Sequence, residues 1–89
     1  MYLHIGNRKS VKKKDVIGIF DLDTATVSPI TKKFISKNER DGRVEYTDYD
    51  LPRSFLLVDE GDGYGVKLSR ISTVGLKARA EGDAYYDQQ

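Results

Sequence analysis

Apolar and polar residues alternate along this chain in short blocks, and the period changes from block to block. Tyr2-Leu3-His4-Ile5 is β-prone and is stopped by Gly6-Asn7, a turn signal, which predicts a first strand. Ser10 and Val11 begin a second. After a run of lysines, Val16-Ile17-Gly18-Ile19-Phe20-Asp21-Leu22 is β-branched, aromatic and apolar on both faces, the pattern of a central strand. The segment Asp23-Thr24-Ala25-Thr26-Val27-Ser28-Pro29 then offers capping side chains ahead of a proline, which suits a first helical turn because its missing N–H would have no partner there. A helix starting between Thr26 and Ser28 places Val27, Ile30 and Phe34, with Ile35 beside them, on an apolar face. Lys33, Lys37 and Arg40 form an adjoining stripe, and Asp41-Gly42 ends the helix through a left-handed glycine.

Past the helix, Arg43-Val44-Glu45-Tyr46 alternates like a short strand, and Thr47 to Pro52 is a polar loop. Ser54-Phe55-Leu56-Leu57-Val58-Asp59 is a second wholly apolar strand. Glu60-Gly61-Asp62-Gly63 turns it into Tyr64-Gly65-Val66-Lys67-Leu68-Ser69, whose period of two predicts a hairpin. Ser72 or Thr73 caps a short helix through Val74, Leu76 and Ala78 to Ala80. The order β-β-β-α-β-β-β-α predicts an α+β domain over residues 1–82. Its parts are a small, mostly antiparallel sheet of five to six strands, one main helix and a short C-terminal helix, with a flexible tail over 83–89.

At 89 residues one core is all the chain can build. It holds no cysteine, which excludes disulfides and thiolate zinc sites. Its apolar runs of four or five residues are far short of the roughly 20 that a membrane span needs, so a cytoplasmic protein without a membrane partner is expected. The net charge of +1 conceals a division: residues 1–43 hold ten basic and five acidic side chains, a surplus of +5, and residues 44–89 sum to −4. Such a chain can face a polyanion, pair its own halves or stack head to tail with its copies.

Catalysis finds little support. His4 has no second histidine or cysteine to work with, and a structural role is expected for it. Asp21 and Asp23 suit a turn into a helix better than a cation site. Asp59-Glu60-Gly61-Asp62-Gly63 has Arg70 where a calcium loop needs its twelfth-position Glu. No phosphate loop or nucleophile elbow is present, so no catalytic residue, cofactor or metal is expected. The richest cluster is Arg8-Lys9-Ser10-Val11-Lys12-Lys13-Lys14, five cations in seven residues; lysines on a loop grip phosphate without reading sequence, or else shield a sheet edge from pairing.

Five stretches carry a resemblance: Tyr2-Leu3-His4-Ile5-Gly6, Ile17-Gly18-Ile19-Phe20-Asp21-Leu22-Asp23-Thr24-Ala25-Thr26, Asp41-Gly42-Arg43-Val44, Leu51-Pro52-Arg53-Ser54-Phe55 and Leu68-Ser69-Arg70-Ile71-Ser72. Together they resemble the RemA/RemB family of extracellular matrix regulators from Bacillus and related Firmicutes, over residues 1 to 78. The resemblance implies a LytTR-like fold and a ring-like homo-oligomer that presents basic residues to DNA at matrix (biofilm) genes. The phosphate contacts expected are Arg8, Lys9, Lys12, Lys13, Lys14 and Arg53, with Lys33 and Lys37 as a second rank; a nucleoid-associated location follows. Two stretches that are basic in RemA-like members are acidic here, at Asp15 and at Asp48-Tyr49-Asp50. The alternative is a protein-interaction module that assembles with itself or with a RemA-like partner without touching DNA, through that acidic loop, the edge residues Phe55 and Leu57, and the opposite charges of the two halves.

Overall fold

The computed structural model describes residues 1–22, 28–48 and 51–87, with side chains as far as residue 81. β1 (Tyr2–Gly6) and β2 (Lys9–Lys12) form an antiparallel hairpin. Its turn residues Asn7 and Arg8 both have positive φ, 48° and 63°, the sign a tight two-residue hairpin turn requires. A single 3-10 turn, Lys13–Asp15, leads into β3 (Val16–Asp21). There follow α1 (Pro29–Arg40), β4 (Val44–Tyr46), β5 (Ser54–Asp59), β6 (Tyr64–Ser69) and α2 (Thr73–Asp87). The element order is the expected one, and the class is α+β.

The strands divide into two sheets instead of one. β1 and β2 stand alone, and the other four run in the order β3-β5-β6-β4, antiparallel except for the β4–β6 pair. The 3-10 turn interrupts the ladder between β2 and β3, and this break lets the hairpin fold back across the larger sheet. β3 corrects the sequence reading, because it is an edge strand and not a central one. It is apolar on both faces since Val16 and Ile19 pack under the hairpin while Phe20 stacks on Phe55, with ring centroids 4.9 Å apart. Apolarity of the faces says nothing about which edge is paired. A register shift between Val16 and Gly18 turns Ile17 outward. Gly18 is required beside it, as a Cβ there would meet the Phe20 ring at 2.8 Å.

The two faces of the larger sheet are covered differently. Leu56 and Val58 of β5 face the hairpin and α2, closing a core with Leu3, Ile5 and Leu76. Buried hydroxyls seal it: Ser69 Oγ donates to the Ile5 carbonyl and Ser54 Oγ to that of Ile71, both at 2.7 Å, and Thr47 Oγ1 to that of Leu68 at 2.8 Å. On the opposite face Phe55, Val66, Leu68 and Leu22 are buried, with Ile35 of α1, Val44 and Leu57 packed against them. No residue of α1 is itself buried. The helix leans on β4 and β6, so Ile35 points at the sheet while Ile30 (79% exposed) and Phe34 (38%) do not, contrary to the expected core face.

Helix boundaries follow local chemistry. α1 starts at Pro29 with Ser28 in the N-cap position, and Gly42 past its end has φ +72°. The capping expected of Asp23, and the position of Val27, lie outside the described residues. Ser72 caps α2, its Oγ accepting the Gly75 N–H at 3.1 Å. α2 does not stop at Ala80 but continues to Asp87; Gly82 lowers helix propensity by about 1 kcal/mol against alanine without ending it.

Candidate nucleic-acid interface

Lys12, Lys13 and Lys14 leave the end of β2 and, with Met1 and Tyr2, line a shallow hollow of about 420 Å3. The 3-10 turn brings three consecutive cations together by reversing the chain tightly. Lys13 anchors the group: its backbone N–H donates to the Met1 carbonyl at 2.9 Å and its Nζ to the Ala80 carbonyl of α2 at 2.8 Å. Lys12 and Lys14 are exposed to either side, and among the described residues neither has a carboxylate within ion-pair distance.

The remaining expected contacts fall elsewhere. Arg8 occupies the hairpin tip in the left-handed region that arginine rarely adopts. Lys9, still exposed, reaches across to Glu45, so its charge links the hairpin to β4. Glu45 also pairs with Lys67 at 2.9 Å, Lys67 with Glu60 at 3.3 Å, and Arg43 with Glu60 and Asp62 at 3.2 and 3.3 Å. Hydrogen bonds from Lys9 first, then Lys67, hold the Glu45 carboxyl below its ordinary value. Burial pushes the Lys67 ammonium down, but Glu45 and Glu60 outweigh it and the net displacement is upward. Arg53, exposed just before β5, borders a hollow of about 340 Å3 with Asp21, Ser72, Thr73 and Val74. Lys33 and Lys37 lie on the outer side of α1 with Lys32, Ser36 and Arg40, around a hollow of about 500 Å3. The four-stranded sheet therefore separates them from Lys12–Lys14.

His4 is exposed, and its Nδ1 accepts from the Arg79 guanidinium at 2.7 Å. Asp59 closes its turn by accepting the Gly61 N–H at 2.9 Å. Among the described residues no group of three or more His, Cys, Asp or Glu is placed to hold a metal ion, and no helix is long and apolar enough to cross a membrane.

One feature escaped sequence reasoning. Phe20, Phe55 and Leu57 of the sheet and Ile30, Thr31 and Phe34 of α1 line an apolar groove of about 290 Å3, open beside β3, which is an edge strand among the described residues. Phe55 and Leu57 are not edge residues as expected, since β5 lies inside the sheet with Phe55 buried; they form the floor of the groove. The signal available was an apolar arc on α1 that includes Ile30 and Phe34 as well as Ile35, wider than one sheet contact needs. Asp48 of the acidic loop pairs with Arg70 at 3.0 Å; Tyr49 and Asp50 lie outside the described residues.

No protein-family model matches the chain. In direct comparison it is 32% identical over 81 residues to the extracellular matrix regulatory protein B of Bacillus subtilis (strain 168), an alignment that covers 91% of each chain. Identity at that level over nearly the full length of both proteins means that this chain belongs to the extracellular matrix regulatory protein B family.

Proposed function

We propose that this chain is a non-enzymatic, DNA-associated transcriptional regulator of extracellular matrix genes. In this reading it works at the nucleoid as a ring-like homo-oligomer whose subunits present cations to the phosphate backbone. The observation that carries the reading is the Lys12–Lys14 cluster, held in place through Lys13 with Lys12 and Lys14 turned to solvent. Arg8 adds support, because an arginine kept at positive φ on an exposed turn tip accepts backbone strain that glycine would avoid. Arg53 supplies a further contact, and Lys9 orients the hairpin through Glu45. The name of the Bacillus relative supports regulation of the matrix. Few contacts per subunit suffice when an assembly repeats them along one duplex.

The test is a titration of a short labelled duplex at two salt concentrations. Four phosphate contacts, from Lys12, Lys14, Arg8 and Arg53, predict a log–log slope of about −4 per bound subunit, and substitution of Lys12, Lys13 and Lys14 by Gln removes about half of it. Absence of binding, or binding indifferent to salt, sinks the reading.

The β3 edge and its groove favour a second component, assembly with copies of this chain or with a RemA-like partner. Among the described residues β3 is an apolar edge strand, paired with β5 on one side only, and its one charged residue, Asp21, stands at its end, so it carries little of the usual protection of an edge. If charge reversal at Lys12–Lys14 dissociates the oligomer, those lysines belong to a subunit interface and the protein is an interaction module; if the oligomer survives and DNA binding is lost, they face DNA.

A further inference from the structure

The cations of α1 differ from those on and beside the sheet in having no carboxylate partner among the described residues. Lys9, Arg43, Lys67 and Arg70 each have a carboxylate partner, whereas among the described residues Lys32, Lys33, Lys37 and Arg40 have none. Like charges at Lys33 and Lys37, and at Lys37 and Arg40, stand at helical neighbour spacings that repel. Lys37 and Arg40 in the last turn suit the helix dipole, but Lys32 and Lys33 sit nearer the N-terminal end, whose first turn contains no acidic residue. Lys33, Lys37 and Arg40 rise along the helix in steps of about 6 and 4.5 Å, a row of cations along one line of its exposed surface. The row lies on the outer side of α1 and the Lys12–Lys14 cluster on the hairpin side, with the four-stranded sheet between them.

From this two-sided placement we infer that α1 is a second DNA-backbone site, and that the protein bridges two duplexes, one held by Lys12–Lys14 and the other by Lys33, Lys37 and Arg40. The inference rests on the DNA reading above and adds to it that one rigid duplex does not reach both sides of a subunit. A wild-type assembly then gathers distant DNA segments, and the affinity for the second duplex is as salt-dependent as that for the first.

The test immobilises one duplex on beads, saturates it with protein, washes, and measures recruitment of a second, fluorescent duplex. Wild type is expected to recruit it. The Lys33→Gln/Lys37→Gln/Arg40→Gln variant is expected to remain on the beads while recruiting at least about tenfold less, and Lys33→Arg/Lys37→Arg to recruit as wild type does. Circular dichroism confirms that α1 is intact, because the substituted side chains are exposed. Recruitment unchanged in the glutamine variant overturns the inference and assigns bridging to repeated lysine loops in the oligomer. Wild type held on the beads without recruiting a second duplex, yet sedimenting with anionic phosphatidylserine vesicles in an α1-dependent way, overturns it in favour of a membrane surface. Wild type that fails to bind even the first duplex overturns the DNA reading itself, and this inference with it.

Discussion

The hairpin side and the helix side of the four-stranded sheet solve the same problem to different degrees. On the hairpin side two elements, the β1–β2 hairpin and α2, converge on one face; Leu3, Ile5, Leu56 and Leu76 are wholly buried, and three hydroxyls satisfy carbonyls at the margin. On the other side one helix covers half a face, none of its residues is buried, and the half above β3 and β5 is a groove. The difference teaches that the helix side, although Phe55, Val66 and Leu68 are buried there, retains apolar surface that the hairpin side has covered. Among the described residues an edge strand, an open groove and a cationic row without carboxylate partners all fall on or beside that second side.

The sharpest way to break this comparison is to truncate one large side chain on each face. Leu76→Ala on the hairpin side is expected to cost 2–5 kcal/mol by roughly the usual scale for a buried leucine. Phe34→Ala on the groove is expected to cost less than about 1 kcal/mol in the monomer while weakening self-association. Denaturant unfolding at low protein concentration, paired with sedimentation, measures both. Equal losses from the two substitutions would mean that the faces are energetically alike.

A smaller effect comes from the ion pairs that fasten the hairpin to β4. Glu45 is held below its ordinary value, so its contribution is present above the unfolded-state value and is lost as pH falls through the folded one. Lys67 is displaced upward; its contribution is present below its unfolded-state value and is lost as pH rises through the folded one. Glu45→Gln is therefore expected to flatten the acid limb of the stability profile. The amount is below about 1 kcal/mol, since the Glu45 side chain is 39% exposed and solvent screens it. An unchanged acid limb in a pH-dependent melt would remove the network from the account.

Arg8 acts on a similar scale and in the opposite direction. Arg8→Gly relieves a left-handed residue and is expected to stabilise the hairpin by about 1 kcal/mol while weakening DNA binding. A rise in melting temperature without loss of affinity would leave Arg8 a turn residue only.

What the sequence made legible was local. The β5–β6 hairpin and its turn, the start of α1 at Pro29 and its end at Gly42, and the cap at Ser72 all depend on residues a few positions apart. The lysine cluster is contiguous in the chain and so survives folding as a cluster. What stayed hidden depends on distant pairing. The edge position of β3 is decided by β5, more than 30 residues on. The engagement of Lys9 depends on Glu45, 36 residues away, and the exposure of Ile30 and Phe34 on where α1 rests across β4 and β6. Periodicity finds the apolar side of an element without finding what covers it.

In the proposed reading the groove beside α1 assembles the protein, and the lysines on the hairpin side hold the first duplex. A mass measurement in solution, with and without a short duplex, tests it on three proteins: wild type, Phe34→Asp, and Lys12→Glu/Lys13→Glu/Lys14→Glu. The prediction is a wild-type oligomer that gains the mass of DNA, a groove variant that falls to the 10.1 kDa subunit, and a lysine variant that stays assembled and takes up less DNA than wild type. A groove variant that remains as large as wild type, or a lysine variant that binds DNA undiminished, would contradict it.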